Sequence, residues 1–453
     1  MEGIGWSIGD EKSGYRVEPV PLSKDEERLL SLLTREFLDK AKETTKKYSK
    51  ESLSEELRRL LKDVCDFENI LLNRKSADKI VSIAERNIGG FGVFDFLLSD
   101  DELEEITVLG VGLPIHVFHR SKGWLETNCA VTSEEFATNV VNKMARSLGR
   151  RVTYQSPRLN AVLPDGSRLH ASIAPVTLNG VEMTIRKFRQ KPFTVRDLTE
   201  NGTLSCETAA FLWLALYGDV SVLVAGTTGS GKTTTLNALF SFIPLTDRVI
   251  ITEETPEINI PHRHQVKIIA NEELGIQMKD LVKDTLRMRP DRVIVGEVRD
   301  SSEAGALFDS LLAGQARGTY ATFHAGSGNE ALLRLQALGA RREDLGAIDL
   351  VVVQRRVSVY DSKTKKQGEV RRITEISEVR DGKAVPLFVR GAKGLGKTKA
   401  FASCALMDKI SVNYGMDRRA LVGEIAKRER FLKGLPAQDF AGFTQSVQKY
   451  MFG

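Results

Sequence analysis

The stretch Gly226-Thr-Thr-Gly-Ser-Gly-Lys232-Thr233 decides the fold. It fills every fixed position of GxxxxGK[ST]. An apolar run at 221–225 precedes it and reads as a strand, and residues 234–240 after it suit a helix. Glycines let backbone N–H groups converge on phosphate oxygens, and the helix that follows presents its positive end to them. Gly226, Thr227, Thr228, Gly229, Ser230, Gly231, Lys232, Thr233 and Thr234 are therefore the expected phosphate-binding set. Lys232 is expected to reach the β- and γ-phosphates of ATP, and the Thr233 hydroxyl to hold Mg2+.

The same pattern recurs at Gly391-Ala-Lys-Gly-Leu-Gly-Lys397-Thr398. A second site would need several more strand–helix units of about 30 residues each downstream. The remaining chain is too short for them and reads as helices, so this match is expected to be a glycine- and lysine-rich surface loop.

Around the first motif, apolar strands alternate with helical segments. Strands are expected at 222–225, 249–252, 293–295, 319–323 and 350–354, which argues a mostly parallel sheet with helices on both faces. Three of these strands end in residues suited to catalysis. Arg289-Pro-Asp-Arg-Val-Ile-Val-Gly-Glu297 puts a carboxylate where water could be activated, with Gly296 leaving room beside the phosphates. Ile251-Thr-Glu253-Glu254-Thr-Pro-Glu257 ends in three carboxylates, and Gly318-Thr-Tyr-Ala-Thr-Phe-His324 in a histidine. Strand ends of a parallel sheet face its ligand crevice. Singly, such a carboxylate is usually a solvated turn residue and such a histidine structural. Their recurrence after a phosphate loop is what points to a site.

Toward the N-terminus the texture changes. Ser23 and Glu26 have capping-box spacing ahead of leucines at 29, 30, 32 and 33, and a second helix is expected at 52–64. The charged run 40–50 reads as a solvated face or connector. From 89 to 190, short strands at 106–109, 115–118, 168–173 and 182–188, with a helix at 133–148, describe a small α/β domain. Residues 191–205 read as a linker, 206–380 as the nucleotide domain and 381–453 as a helical subdomain.

Composition narrows the setting. The chain has 453 residues, 42% hydrophobic and 28% charged, with a net charge of +5 that argues for neither lipid nor nucleic acid. Its four cysteines form no CxxC pair, which speaks against a disulfide framework or a four-thiolate zinc site and fits a reducing cytoplasm. Met1-Glu-Gly-Ile4 lacks the features of a secretory leader. The most apolar stretch, 209–217, is too short to span a bilayer and reads as a buried helix.

In order, GTTGSGKTTTLNAL, ITEETPEI, RPDRVIVGEVRD and GTYATFHA resemble the Walker A, Asp box, Walker B and His box of the secretion superfamily of ATPases. These are the motors of type II and type IV secretion, type IV pili and archaeal flagella. Asn160-Ala-Val-Leu-Pro-Asp-Gly-Ser-Arg168 and Met183-Thr-Ile-Arg186-Lys-Phe resemble the N-terminal domain of that family. The resemblance implies a RecA-like nucleotide domain, a PAS-like N-terminal domain and helical extensions at both ends. It further implies a homohexamer that is cytoplasmic and peripheral to the membrane, docked on a polytopic inner-membrane platform protein. Glu297 is then the water-positioning residue, Glu253 and Glu257 the Asp-box acids, and His324 the second His-box histidine. Arg186 and Arg168 are arginines acting from the N-terminal domain.

Glu254 replaces the usual Asp, Gln315 stands where many relatives have the first His-box histidine, and the four-cysteine zinc module is missing. The missing module, together with the helical N-terminal segment, favours the archaeal and tight-adherence-like branches. Two rivals remain: a DNA-uptake or conjugation motor on the same core, and a ring adaptor that binds ATP without hydrolysing it. No aromatic and basic stripe of the kind that holds single strands is evident, so nucleic acid is not an expected partner.

Overall fold

Apolar residues at helical spacing build three N-terminal helices, Lys24–Glu43, Lys50–Glu68 and Arg74–Ile88. The computed structural model describes residues 6–9, 14–18, 22–43, 50–146, 149–189, 191–271, 274–361, 366–392 and 394–453. Ser23 and Glu26 form the expected box: the Ser23 N–H donates to the Glu26 carboxylate (2.8 Å) and the Glu26 N–H to the Ser23 hydroxyl (3.2 Å). Leu29, Leu33, Leu57, Ile80 and Ala84 close a core belonging to these helices alone. Most of the charged run, 44–49, lies outside the described residues.

The chain divides into two compact units, Met1–Arg189 and Gln190–Gly453. The first carries an antiparallel sheet of β1 (Trp6–Ile8), β2 (Leu103–Val108), β3 (Pro114–His119), β4 (Gly123–Val131), β5 (Arg158–Val162), β6 (Arg168–Ser172) and β7 (Glu182–Arg186). Its order is β1-β4-β3-β2-β7-β6-β5. Helix Glu134–Ala145, capped by Ser133, buries Val140, Val141 and Met144 in the same core as Ile106, Val117 and Ile185 of the sheet. The N-terminal segment is thus not wholly helical. Trp6 is buried in β1, which pairs with β4, and a strand of three residues is too short to show a period. Asn128 of β4 anchors the segment after β1, accepting from the Val17 N–H (2.8 Å) and donating to the Val17 carbonyl (3.0 Å).

The second unit carries β8 (Val222–Gly226), β9 (Val249–Glu253), β10 (Gln265–Ile269), β11 (Arg292–Val298), β12 (Gly318–Phe323), β13 (Leu350–Asp361), β14 (Lys366–Arg380), β15 (Lys383–Gly391) and β16 (Gly394–Lys397). The sheet order is β10-β9-β11-β12-β8-β13-β14-β15-β16. Pairing is parallel from β10 through β13 and antiparallel beyond. Period-two alternation sends Val222, Val224, Ile251, Ile294 and Val352 into one core and Leu223, Ala225, Val293, Val295 and Val351 into another. Two buried faces explain why these strands read as continuous apolar runs.

Two expected boundaries are corrected. The stretch 191–205 is not a bare linker: Thr194 and Asp197 form a capping box that starts helix Val195–Glu200, and Val195, Leu198 and Leu204 join the core. Nor does a helical subdomain begin at 381, because β15 and β16 extend the sheet to Lys397. Pro386 reads against a strand interior, yet it sits beside a register shift in the β14–β15 pairing. The C-terminal helices are Leu406–Tyr414, Arg418–Gly434 and Phe440–Phe452.

These helices cover helix Cys206–Tyr217, whose residues from Thr208 to Leu216 are all buried. Trp213 stacks on Phe242 with ring centroids 4.8 Å apart, lies against Tyr450, and carries the Arg428 guanidinium 4.8 Å from its ring. Its indole N–H donates to Met451 Sδ (3.2 Å).

At the amino end of β11, Arg292 is 1% exposed and binds Asp247 and Asp219, each at 2.8 Å, and Tyr320 at 3.2 Å. Arg292→Ala leaves Asp247 buried without this partner, so it is expected to cost about 3–5 kcal/mol of stability. The check is a fall in the urea midpoint at unchanged denaturant slope.

Candidate active site

Gly226 ends β8, Gly231 caps helix Lys232–Leu239, and the loop between them turns sharply. Gly231 has φ +93°, a left-handed conformation that a side chain would strain. A Cβ on Gly226 would lie 2.2 Å from the Gln354 carbonyl oxygen, so any other residue pushes the loop off β13. Ser230 is buried beneath this turn, and Thr227 and Thr228 are exposed at its crown. Lys232 is buried, and its ammonium donates to the carbonyls of Gly226 (3.1 Å) and Thr227 (3.3 Å). A buried ammonium beside the first N–H groups of a helix suits a polyphosphate.

The carboxyl ends of β9, β11 and β12 bring the remaining residues to the same edge. The Thr233 hydroxyl donates to Glu257 (2.9 Å), pairing a neutral oxygen with an anionic one, the hard donor set Mg2+ takes. Glu253 is buried. One of its oxygens accepts from the N–H groups of Glu257 (2.7 Å) and Ile258 (2.8 Å), and the other takes no hydrogen bond among the described residues. Burial raises its carboxyl above the ordinary range, against those two N–H groups. These two bonds tie Glu253 to the turn that carries Glu257.

Glu297 sits between a histidine and an arginine. The His324 Nε2–H donates to one carboxylate oxygen (2.7 Å), and Arg299 holds the other (2.6 Å). Burial pushes the Glu297 carboxyl up. Arg299, with His324 and Lys232 adding to it, outweighs that and leaves it below the ordinary range, so it is an anion at neutral pH. Burial and then the Lys232 charge lower the His324 pKa, so the ring is neutral and its proton on Nε2 serves Glu297. The expected room at Gly296 is filled from within: a Cβ there would stand 3.0 Å from Glu253 Cγ.

Residues 124–429 match the family described as Type II/IV secretion system protein. The chain belongs to that family. Uncharacterized protein MJ0781 of Methanocaldococcus jannaschii is 43% identical over 238 residues, which take in 50% of this chain and 33% of that relative. The match thus spans only a third of that relative's length. Uncharacterized protein MJ0900 of the same organism is 30% identical over 393 residues, 83% of this chain and 70% of the relative. Type IV secretion system protein VirB11 of Bartonella henselae is 28% identical over 265 residues, 50% of this chain and 73% of the relative.

In this secretion-family chain the expected nucleotide residues converge, with Glu253, Glu257, Glu297 and His324 around the phosphate loop. Arg168 and Arg186 belong to the first unit, where they are cross-strand partners on β6 and β7. Arg186 also faces Glu105 of β2, whose carboxyl burial raises while the Arg186 charge pulls it down.

Other site residues escaped the sequence reading. Arg299 lies two positions beyond Glu297, inside the motif itself, and also binds Glu254. Gln354 accepts from the Thr235 hydroxyl (2.6 Å), and Asn237 donates to the Glu257 carbonyl (3.1 Å). Arg371 donates to the Gly229 carbonyl (3.0 Å).

The second glycine run lies at the surface, as a hairpin of β15 and β16 rather than an irregular loop. Lys397 pairs with Glu207 (2.7 Å) and lies over Phe401, and a 3-10 turn follows instead of an α-helix.

Proposed function

We propose that this protein is a Mg2+-dependent ATPase whose hydrolysis drives domain motion in a pilus-like, archaellum-like or type II/IV secretion machine. The observation that carries this reading is the convergence of Lys232, Glu297 and His324 at the carboxyl ends of the neighbouring strands β8, β11 and β12. Lys232 neutralises phosphate charge. The Glu297 carboxylate polarises the attacking water and accepts its proton, while His324 and Arg299 fix its orientation and keep it ionised. Thr233 and Glu257 would hold Mg2+, which when bound shields the β- and γ-phosphates.

The second unit is read as RecA-like and the sheet of the first as PAS-like. Family membership and the VirB11 relative support a place in a secretion machine, and a polytopic membrane protein is the partner proposed for it. Among the described residues no helix is long and apolar enough to cross a membrane, which fits a peripheral position.

The proposed working form is a ring of six in which Arg186, with Arg168 beside it, reaches the γ-phosphate held by another copy. Mixing tests both the activity and the ring. Arg186→Ala and Lys232→Ala are each expected to be nearly inactive in Mg-ATP turnover. When subunits exchange, interfaces that join an intact loop to an intact arginine should restore part of the rate. No recovery despite demonstrated exchange would place Arg186 within its own subunit or in the fold alone.

A further inference from the structure

Two features of the second unit meet at the phosphate loop without belonging to its motif. One is the register shift between Val353 and Gln354 in the β13–β14 pairing, which re-aims the residues that follow. The other is the stretch of β14 at Arg371, opposite Arg356 in that pairing. Arg371 Nε donates to the Gly229 carbonyl (3.0 Å), and its Cδ lies 3.4 Å from where a Cβ on Gly231 would be. The Gln354 side-chain nitrogen stands 2.9 Å from that same point, and its side-chain oxygen accepts from the buried Thr235 one turn into the helix (2.6 Å).

We propose that Arg371 and Gln354 form a bracket that sets the shape of the phosphate loop, with Arg371 its positioning residue. Gly229 and Gly231 are the two loop residues with positive φ, at +70° and +93°. Glycine adopts that conformation freely but does not enforce it. Arg371 grips the carbonyl of the first glycine and packs against the second, and Gln354 closes the far side. The loop's N–H groups are thereby held converged before any phosphate arrives.

Arg371 is itself fixed from behind. Its carbonyl accepts from the Thr203 hydroxyl (3.2 Å), the Ile373 N–H donates to the Thr203 carbonyl (2.8 Å), and Arg372 donates to the Asn201 carbonyl (2.5 Å). These anchors lie just after helix Val195–Glu200, so the bracket ties the loop to the segment that opens the second unit. The consequence for ATP rests on the ATPase reading above, but the effect on the loop does not.

Two measurements separate the two. Hydrogen exchange of amides 229–233 in the nucleotide-free protein reads the loop, and binding of a fluorescent ATP analogue reads its use. Arg371→Met keeps the stem against Gly231 and removes the donor. It is expected to speed loop exchange and weaken the analogue, each by about tenfold, the worth of one charge-assisted hydrogen bond. Arg371→Lys, which restores a cationic donor, is expected to recover most of both. Helix Met278–Thr285, distant in sequence from the bracket, should exchange as in wild type. Unchanged loop exchange in a folded Arg371→Met protein overturns the proposal, as does an increase shared equally by that helix. If the wild type binds no analogue while Arg371→Met still loosens the loop, the ATPase reading falls and the bracket stands.

Discussion

Lys232→Ala is expected to lower Mg-ATP turnover at least about 100-fold, while Lys397→Ala stays close to wild type. Both lysines end a GxxxxGKT run, so the motif alone cannot rank them. Their surroundings do. Lys232 is buried, follows a strand with parallel neighbours on both sides, and starts a helix whose N–H groups point toward the loop. Lys397 ends an antiparallel edge strand, and its charge is spent on Glu207 and the Phe401 ring. The exposed pair it forms contributes little to stability, so its removal leaves the fold intact. Steady-state phosphate release from both purified variants makes the comparison. A loss of turnover in folded Lys397→Ala comparable to that in Lys232→Ala would revive the second glycine run as a nucleotide site.

Glu297→Gln is expected to bind Mg-ATP with near-normal affinity and to hydrolyse it about 10²–10⁴-fold more slowly. The amide keeps the shape of the side chain, so the phosphate-binding residues stay in place. It loses the negative charge that polarises water, and its single oxygen cannot accept from both His324 and Arg299 as the carboxylate does. Single-turnover hydrolysis beside equilibrium binding separates the two effects. Near-normal turnover would transfer the role to Glu257, the Asp-box acid that touches Thr233. Glu253 is the poorer alternative, because burial favours its neutral form and one of its oxygens is committed to backbone N–H groups.

What could be read from the residues follows from how local each signal is. The phosphate loop and the glutamate of β11 are contiguous patterns whose spacing carries their chemistry, and both stand where that spacing implies. Glu297 lies near the end of β11 and His324 just past the end of β12, and the rule that parallel strands end at one edge was enough to bring them together. Gln354 and Arg371 carried no such signal. They reach the loop because β13 and β14 follow β8 in the sheet, although 119 and 142 residues separate the bonded partners. Asp197 hid a capping box because the usual signature has Glu or Gln at that position. Pro386 can stand inside β15 because the register shift that accommodates it belongs to the pairing and not to the strand.

The covering of helix Cys206–Tyr217 bears on how the chain is made. Trp213 and the sulfur that accepts its indole proton are 238 residues apart, so the contact closes late in synthesis. At ribosomal rates of about 5–20 residues per second, that interval is on the order of tens of seconds. Through it the helix has emerged, and so in turn have the phosphate loop and the parallel strands, while one side of its apolar surface still awaits Phe440–Phe452. Long-range closure of this kind is slow and leaves sticky surface open to wrong partners. A nascent chain stalled before those residues would therefore carry every nucleotide-site side chain described above and still depend on a chaperone to stay in solution.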